Sequence, residues 1–147
     1  MNNTQKIKAA LTGGKNCAQI VAGTIAEKFN IDQKTVLAAT IGFGGGIGRQ
    51  GKICGACTGA VVALGLVNEQ SGKPSAEVKD ITYRQVREFF SKFNEKYDTT
   101  ECSELLDCDI SKAEGFEMHK QGNHVNLCVG FIESALEILD GMLVERE

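Results

Sequence analysis

Apolar residues return at every third or fourth position in one stretch of this chain after another. That periodicity restricts the fold more than any other feature, because it suits helices with one buried face. From Cys17 to Phe29 the apolar positions are Cys17, Ile20, Val21, Ile25 and Phe29, leaving Gln19, Glu27 and Lys28 for the wet side. Asn30 is placed to end that helix and Asp32 to cap the next, whose Val36, Leu37, Ala39, Thr40 and Phe43 lead into the glycine run Gly42 to Gly51. Thr82, Val86, Phe89, Phe90, Phe93 and Tyr97 mark a long amphipathic helix that exposes Arg84, Arg87, Lys92 and Glu95. A shorter helix around Ser103 to Leu106 and a polar link through Gly115 and Gly122 follow. The last helix runs from about His124 to Leu143, with Asn123 as its candidate cap and Cys128, Phe131, Ile132, Ala135, Leu139, Met142 and Leu143 as its stripe. Strand-length alternation of β-branched residues is hard to find, and Pro74 is the only proline. The expectation is an all-α fold, one compact domain over residues 1–147 with about five to seven helices.

One predicted helix, Cys54 to Val67, is made of small residues, with Gly55, Gly59 and Ala63 at every fourth position. Glycine inside a helix costs about 0.5–1 kcal/mol relative to alanine, so its repetition at Gly55, Gly59 and Gly65 points to something that packs closely there. A neighbouring helix, a ligand or the same helix of a second copy, making a homodimer, would each use such a groove. The polar segment Asn68 to Ser75 reads as a surface loop.

A chain of 147 residues is long enough to bury a core without staples. Its net charge is −3 and its basic residues are scattered, which argues against nucleic acid as a partner. Met1 to Lys8 lacks the apolar region of a secretory signal, and the longest apolar stretch, Ala60 to Val67, is too short to cross a bilayer. These features predict no membrane insertion and a cytoplasmic location. Ordinary thiols stay reduced there, so six cysteines point to metal binding or catalysis more than to a disulfide framework, with small buried hydrophobes as the plain alternative.

The glycine run invites comparison with phosphate-binding loops. Gly46, Gly48 and Gly51 fit G-x-G-x-x-G, and Gly46 to Lys52 fits most of a P-loop. A helix rather than a strand is predicted before the run, however, and Ile53 stands where a P-loop needs a hydroxyl for magnesium. A structural loop is the better reading.

Cys54 and Cys57 form a C-x-x-C that could serve a dithiol or a metal, and is equally well explained by one functional cysteine with a buried neighbour. Thr58 follows the pair where a c-type haem site needs histidine, so no haem c is expected. More informative is that Cys17, Cys54, Cys102 and Cys128 each fall at, or within about a turn of, a predicted helix N-terminus. Unpaired N–H groups and the helix dipole favour negative charge at such positions, and the thiolate is both nucleophile and metal ligand.

The series Cys17, Gly42-Phe43-Gly44-Gly45-Gly46-Ile47-Gly48, Cys54-Gly55-Ala56-Cys57-Thr58-Gly59, Cys102, Leu105-Leu106 and Cys128 resembles the redox family named for its C, GCAxxG, C, C pattern. The resemblance spans nearly the whole chain, although the core here reads C-G-A-x-x-G, with the first two residues in the reverse of the named order. It implies a small helical redox protein whose recurrent cysteines are Cys17, Cys54, Cys102 and Cys128. Cys57 and Cys108 are left as extras, Cys108 being an alternate for either later position. The family is also similar to part of the split-Soret cytochromes, and this ranks an iron–sulfur cluster, of the two-iron kind in an electron-transfer protein, above zinc as the implied cofactor.

His119 and His124 lie in a polar stretch beside Lys120, Gln121 and Asn123 and read as solvated, not as ligands. Asp107, Asp109 and Asp140 show no pairing for hydrolytic chemistry. Three readings stay open: an iron–sulfur protein serving a redox partner that the sequence leaves unidentified, a metal-free thiol–disulfide protein acting through Cys54 and Cys57, and a non-catalytic module with structural zinc.

Overall fold

The computed structural model describes residues 1–121 and 124–143. Among them are eight α-helices: α1 (Asn3–Thr12), α2 (Cys17–Lys28), α3 (Gln33–Ala39), α4 (Gly55–Glu69), α5 (Ser75–Tyr97), α6 (Cys102–Leu106), α7 (Ala113–Gln121) and α8 (His124–Leu143). The all-α expectation holds, but the count exceeds five to seven because α1 and α7 were not foreseen. Both are short and predominantly polar. α1 buries only Ile7 and is set by an Asn2 capping box, whose side chain takes the Gln5 N–H at 2.8 Å.

The boundaries differ from expectation where side chains change partners. Asp32 stands at the start of α3, yet its carboxylate takes the Thr35 hydroxyl and makes no cap bond. Thr40 and Phe43 lie beyond α3, and Ile41–Phe43 form a single 3-10 turn. Asn68 belongs to α4 and not to a loop: it is buried and donates to Thr82 Oγ1 at 2.9 Å and Gln85 Oε1 at 2.7 Å, tying α4 to α5. Gly115 lies inside α7 instead of a link, and a Cβ there would sit 1.8 Å from the Asp109 carbonyl oxygen. Asn30, with φ +58, does end α2. The proposed cap Asn123 and link residue Gly122 lie outside the described residues.

The core is built mainly by α2, α4, α5 and α8. The stripe of α8 is buried as its spacing predicts, from Cys128 through Phe131, Ile132, Ala135 and Leu139 to Met142 and Leu143. An aromatic ladder crosses to it from α5. Phe89 stacks on Phe93 at 6.0 Å, Phe93 meets Tyr97 at 4.8 Å, and Tyr97 meets Phe131 edge-on at 5.1 Å. The Tyr97 hydroxyl is satisfied by Ser134 Oγ at 2.6 Å, as a partly buried phenol favours. Two glycines of α4 admit α2: a Cβ on Gly55 would lie 3.0 Å from the Ala18 nitrogen, and one on Gly59 would lie 2.8 Å from the Ala18 carbonyl oxygen. The small-residue groove is thus filled from within the same chain at these two positions, whereas Gly65 meets nothing within 4 Å. No helix among the described residues is long and apolar enough to cross a membrane.

Candidate functional site

Three devices deliver cysteines to one place. The first is the close approach of α2 to α4, which sets Cys17, the first residue of α2, where a Cβ on Gly55 would be only 3.0 Å from the Cys17 Cβ. The second is a backbone splice. Ile53 bridges Glu101, the Cys54 N–H donates to the Thr100 carbonyl at 2.7 Å, and the Cys102 N–H donates to the Lys52 carbonyl at 2.6 Å. Those bonds fix the starts of α4 and α6 side by side, with Cys54 immediately before α4 and Cys102 the first residue of α6. The third is α8, which brings in Cys128 from just beyond its first turn.

Cys17, Cys54, Cys102 and Cys128 all line one cavity of about 780 Å³, whereas Cys57 and Cys108 do not. All six thiols are free. Among the described residues, no three His, Cys, Asp or Glu side chains are grouped so as to hold a single metal ion.

The glycine run also lines the cavity, and it takes a conformation that no motif pattern foretells. Gly45, Gly46, Ile47, Gly48 and Arg49 are consecutive left-handed residues, with φ of +63, +72, +66, +59 and +62. For a residue with a side chain this costs roughly 1–2 kcal/mol, so Ile47 and Arg49 are strained. Long-span backbone bonds hold the coil: the Gly48 N–H to the Gly42 carbonyl at 2.9 Å, Gly51 to Gly45 at 3.1 Å and Lys52 to Gly46 at 3.0 Å. Gly46 is required twice over, by its φ and because a Cβ would lie 2.5 Å from the Lys52 nitrogen and 2.8 Å from the Cys102 Cβ. The coil closes against α7, where the Arg49 guanidinium lies 4.3 Å from the centre of the Phe116 ring.

Electrostatics divide the thiols. The Cys54 pKa is lowered by a hydrogen bond from the Cys57 thiol and, against the cost of burial, by the N–H groups of Ala56 and Cys57 at the start of α4. Cys57 is raised, because its proton serves that bond and because it is buried. Cys17 is raised well above the ordinary range, first by its hydrogen bond with Cys128, then by burial and by the nearby charges of Cys128, Cys54 and Cys102. Cys102 is pushed up to about 12 by burial and by the same neighbours, Cys54 and Cys128 first among them. Cys108 is raised by burial and by Asp107 and Asp109, and its sulfur lies 3.8 Å from His124 Nδ1. Cys54 is thus the thiol prepared to carry charge, while Cys17 holds its proton first through its hydrogen bond with Cys128 and Cys102 first through burial, with repulsion from the neighbouring thiolates adding to both.

Arg49, Phe116 and His119 also line the cavity. The solvated-loop reading of the histidines is corrected for His119, which lies in α7, partly buried, with an Nδ1 that is fully covered and finds no partner among the described residues. The three-residue step from Phe116 to His119 was the available signal, and α7 was too short and polar for it to stand out.

No curated protein and no solved structure matches the chain. Residues 15–142 match the family model described as "Putative redox-active protein (C_GCAxxG_C_C)", and the chain belongs to that family.

Proposed function

We propose that this chain is an electron-transfer protein that holds an iron–sulfur cluster through Cys17, Cys54, Cys102 and Cys128. The observation that carries the reading is that these four cysteines, from four helix starts far apart in sequence, line one cavity from which Cys57 and Cys108 are absent. The donor set fits such a group, since thiolates are the usual ligands of iron–sulfur clusters. A cavity of about 780 Å³ has room for more than a single ion. The elevated pKa values of Cys17 and Cys102 also suit it: thiols that repel one another as anions are those whose charge a shared cationic centre would offset. When bound, the cluster would supply reversible one-electron chemistry. The chain's own part is to set the ligands on rigid helix starts, and to keep Cys102 in place through the backbone splice to Lys52. Anaerobic purification followed by iron and acid-labile sulfide analysis tests the reading. Matched iron and sulfide that are lost in Cys102→Ser and kept in Cys108→Ser are expected, and a protein that stays iron-free after reconstitution would overturn it.

One observation favours a second reading. Cys57 is fully buried, lies three residues on from Cys54 and donates its backbone N–H to the Cys54 carbonyl at 2.9 Å, with its thiol lowering the Cys54 pKa, an arrangement suited to a metal-free dithiol with Cys54 as nucleophile. Thiol counts before and after mild oxidant separate the two, since this reading predicts the loss of two thiols in wild type and none of that paired loss in Cys57→Ser.

A further inference from the structure

The cavity wall is electrically unlike the rest of the molecule. The chain carries a net charge of −3 with 19 carboxylate side chains, yet among the described residues no Asp or Glu lines this cavity. Lys15, Arg49 and His119 do. Two successive backbone N–H groups on the same wall, those of Gly45 and Gly46, find no acceptor among the described residues, although the N–H groups that follow them from Ile47 to Lys52 are all bonded. His119 Nδ1 is covered and unpartnered at the same cavity. Unsatisfied polar groups in a covered place are costly and call for a partner. Here the ones that gather are N–H donors, cations and an imidazole, and successive N–H groups in a turn with left-handed residues form a concavity that favours anions. The left-handed residues give that concavity its shape, and the long-span backbone bonds hold it against the strain at Ile47 and Arg49.

We propose that this wall binds a small oxyanion, either free or as the phosphate, sulfate or carboxylate group of a small molecule, beside the cysteines. Oxygen atoms would accept from the Gly45 and Gly46 N–H groups, next to Gly44, and be held by Arg49 and His119, with Lys15 contributing charge at the rim. The binding is independent of what the cysteines hold, and makes the cavity a place where a substrate could meet the redox centre. The cations and N–H groups could instead serve only the charge of the cysteines and their metal, and the test separates the two.

Purified protein, with its iron and sulfide content recorded, is titrated with inorganic phosphate, sulfate, acetate and methyl phosphate at ionic strength held constant with sodium chloride. Heat of binding and the amide resonances of Gly45 and Gly46 are followed. Saturable binding in the millimolar range or tighter is expected for at least one probe, with shifts at those two amides and binding at least ~10-fold weaker in Arg49→Gln and His119→Ala. Arg84→Gln, on the exposed face of α5, should bind as wild type does. Tighter binding of methyl phosphate than of inorganic phosphate identifies a group on a larger molecule, and the reverse a free anion. No saturable binding, or unmoved amides in wild type, overturns the inference, and the amides decide it even if a variant fails to fold. Anion binding absent from protein with full iron overturns this inference alone, whereas binding to protein that cannot be loaded with iron overturns only the cluster.

Discussion

The two ends of α8 face different worlds. Toward its end Leu139 is wholly buried, and at mid-helix Phe131 meets the ladder of Phe89, Phe93 and Tyr97, where nearly every polar atom is either absent or bonded. Near its start Cys128 borders a cavity walled by thiols, by N–H groups without acceptors and by strained left-handed backbone. α4 repeats the division, from Cys54 at its start to Leu64 in the core. The aromatic region is held by burial, which is non-directional and tolerant, whereas the cysteine region is held by individual backbone bonds, which are few and exact in their demands. One region supplies stability and the other consumes some of it, the usual relation between a scaffold and a reactive site.

Separate perturbations should keep that division visible. Phe93→Ala, emptying the middle of the ladder, should cost about 3–5 kcal/mol in urea unfolding and leave the thiol reactivity of the folded fraction unchanged. Comparable damage to both would mean the regions are one unit. Gly46→Ala meets a disallowed Cβ position and should cost about 1–3 kcal/mol, but with the opposite signature, a changed Cys102 environment seen as faster alkylation.

A third test uses pH on metal-free protein. Cys17, Cys57 and Cys102 have folded pKa values above that of an unfolded thiol, so the native state binds more protons once pH exceeds about 8.5, and stability should fall as pH rises from there toward 12. Cys54 has the opposite sign, and its contribution is present above the unfolded pKa and lost as pH falls through its lowered folded value. Alkaline urea titrations should show stability falling less steeply with pH in Cys17→Ser and in Cys102→Ser than in wild type, and equal slopes in all three would remove these raised thiols from the account. The smallest effect belongs to the surface: Lys28→Ala breaks an exposed ion pair with Asp140 at 3.0 Å and should change stability by no more than ~1 kcal/mol, with neither region disturbed.

The aromatic region was the more legible in sequence. The Phe89, Phe93 and Tyr97 stripe and the whole stripe of α8 followed from helical spacing, because burial depends on a periodicity that the chain carries locally. The cysteine positions at helix starts were legible for the same reason. Their meeting in one cavity depended on Gly55 and Gly59 admitting α2 and on the splice between Lys52 and Cys102, contacts that span tens of residues and leave no periodic trace. The left-handed coil was illegible for another reason: glycine permits φ above zero without compelling it, and Ile47 and Arg49 argue against it. α7 was missed because its apolar content is small and its glycine, which looks like a breaker, is there to clear the Asp109 carbonyl.

The splice and the groove have a consequence for biogenesis. Cys17 emerges from the ribosome early and Cys128 late, with more than two thirds of the chain between them, and the cavity has no fourth wall until α8 has docked. A ligand held by all four cysteines would therefore be complete only once α8 has docked, against a wall to which the coil and α7 contribute Arg49 and Phe116.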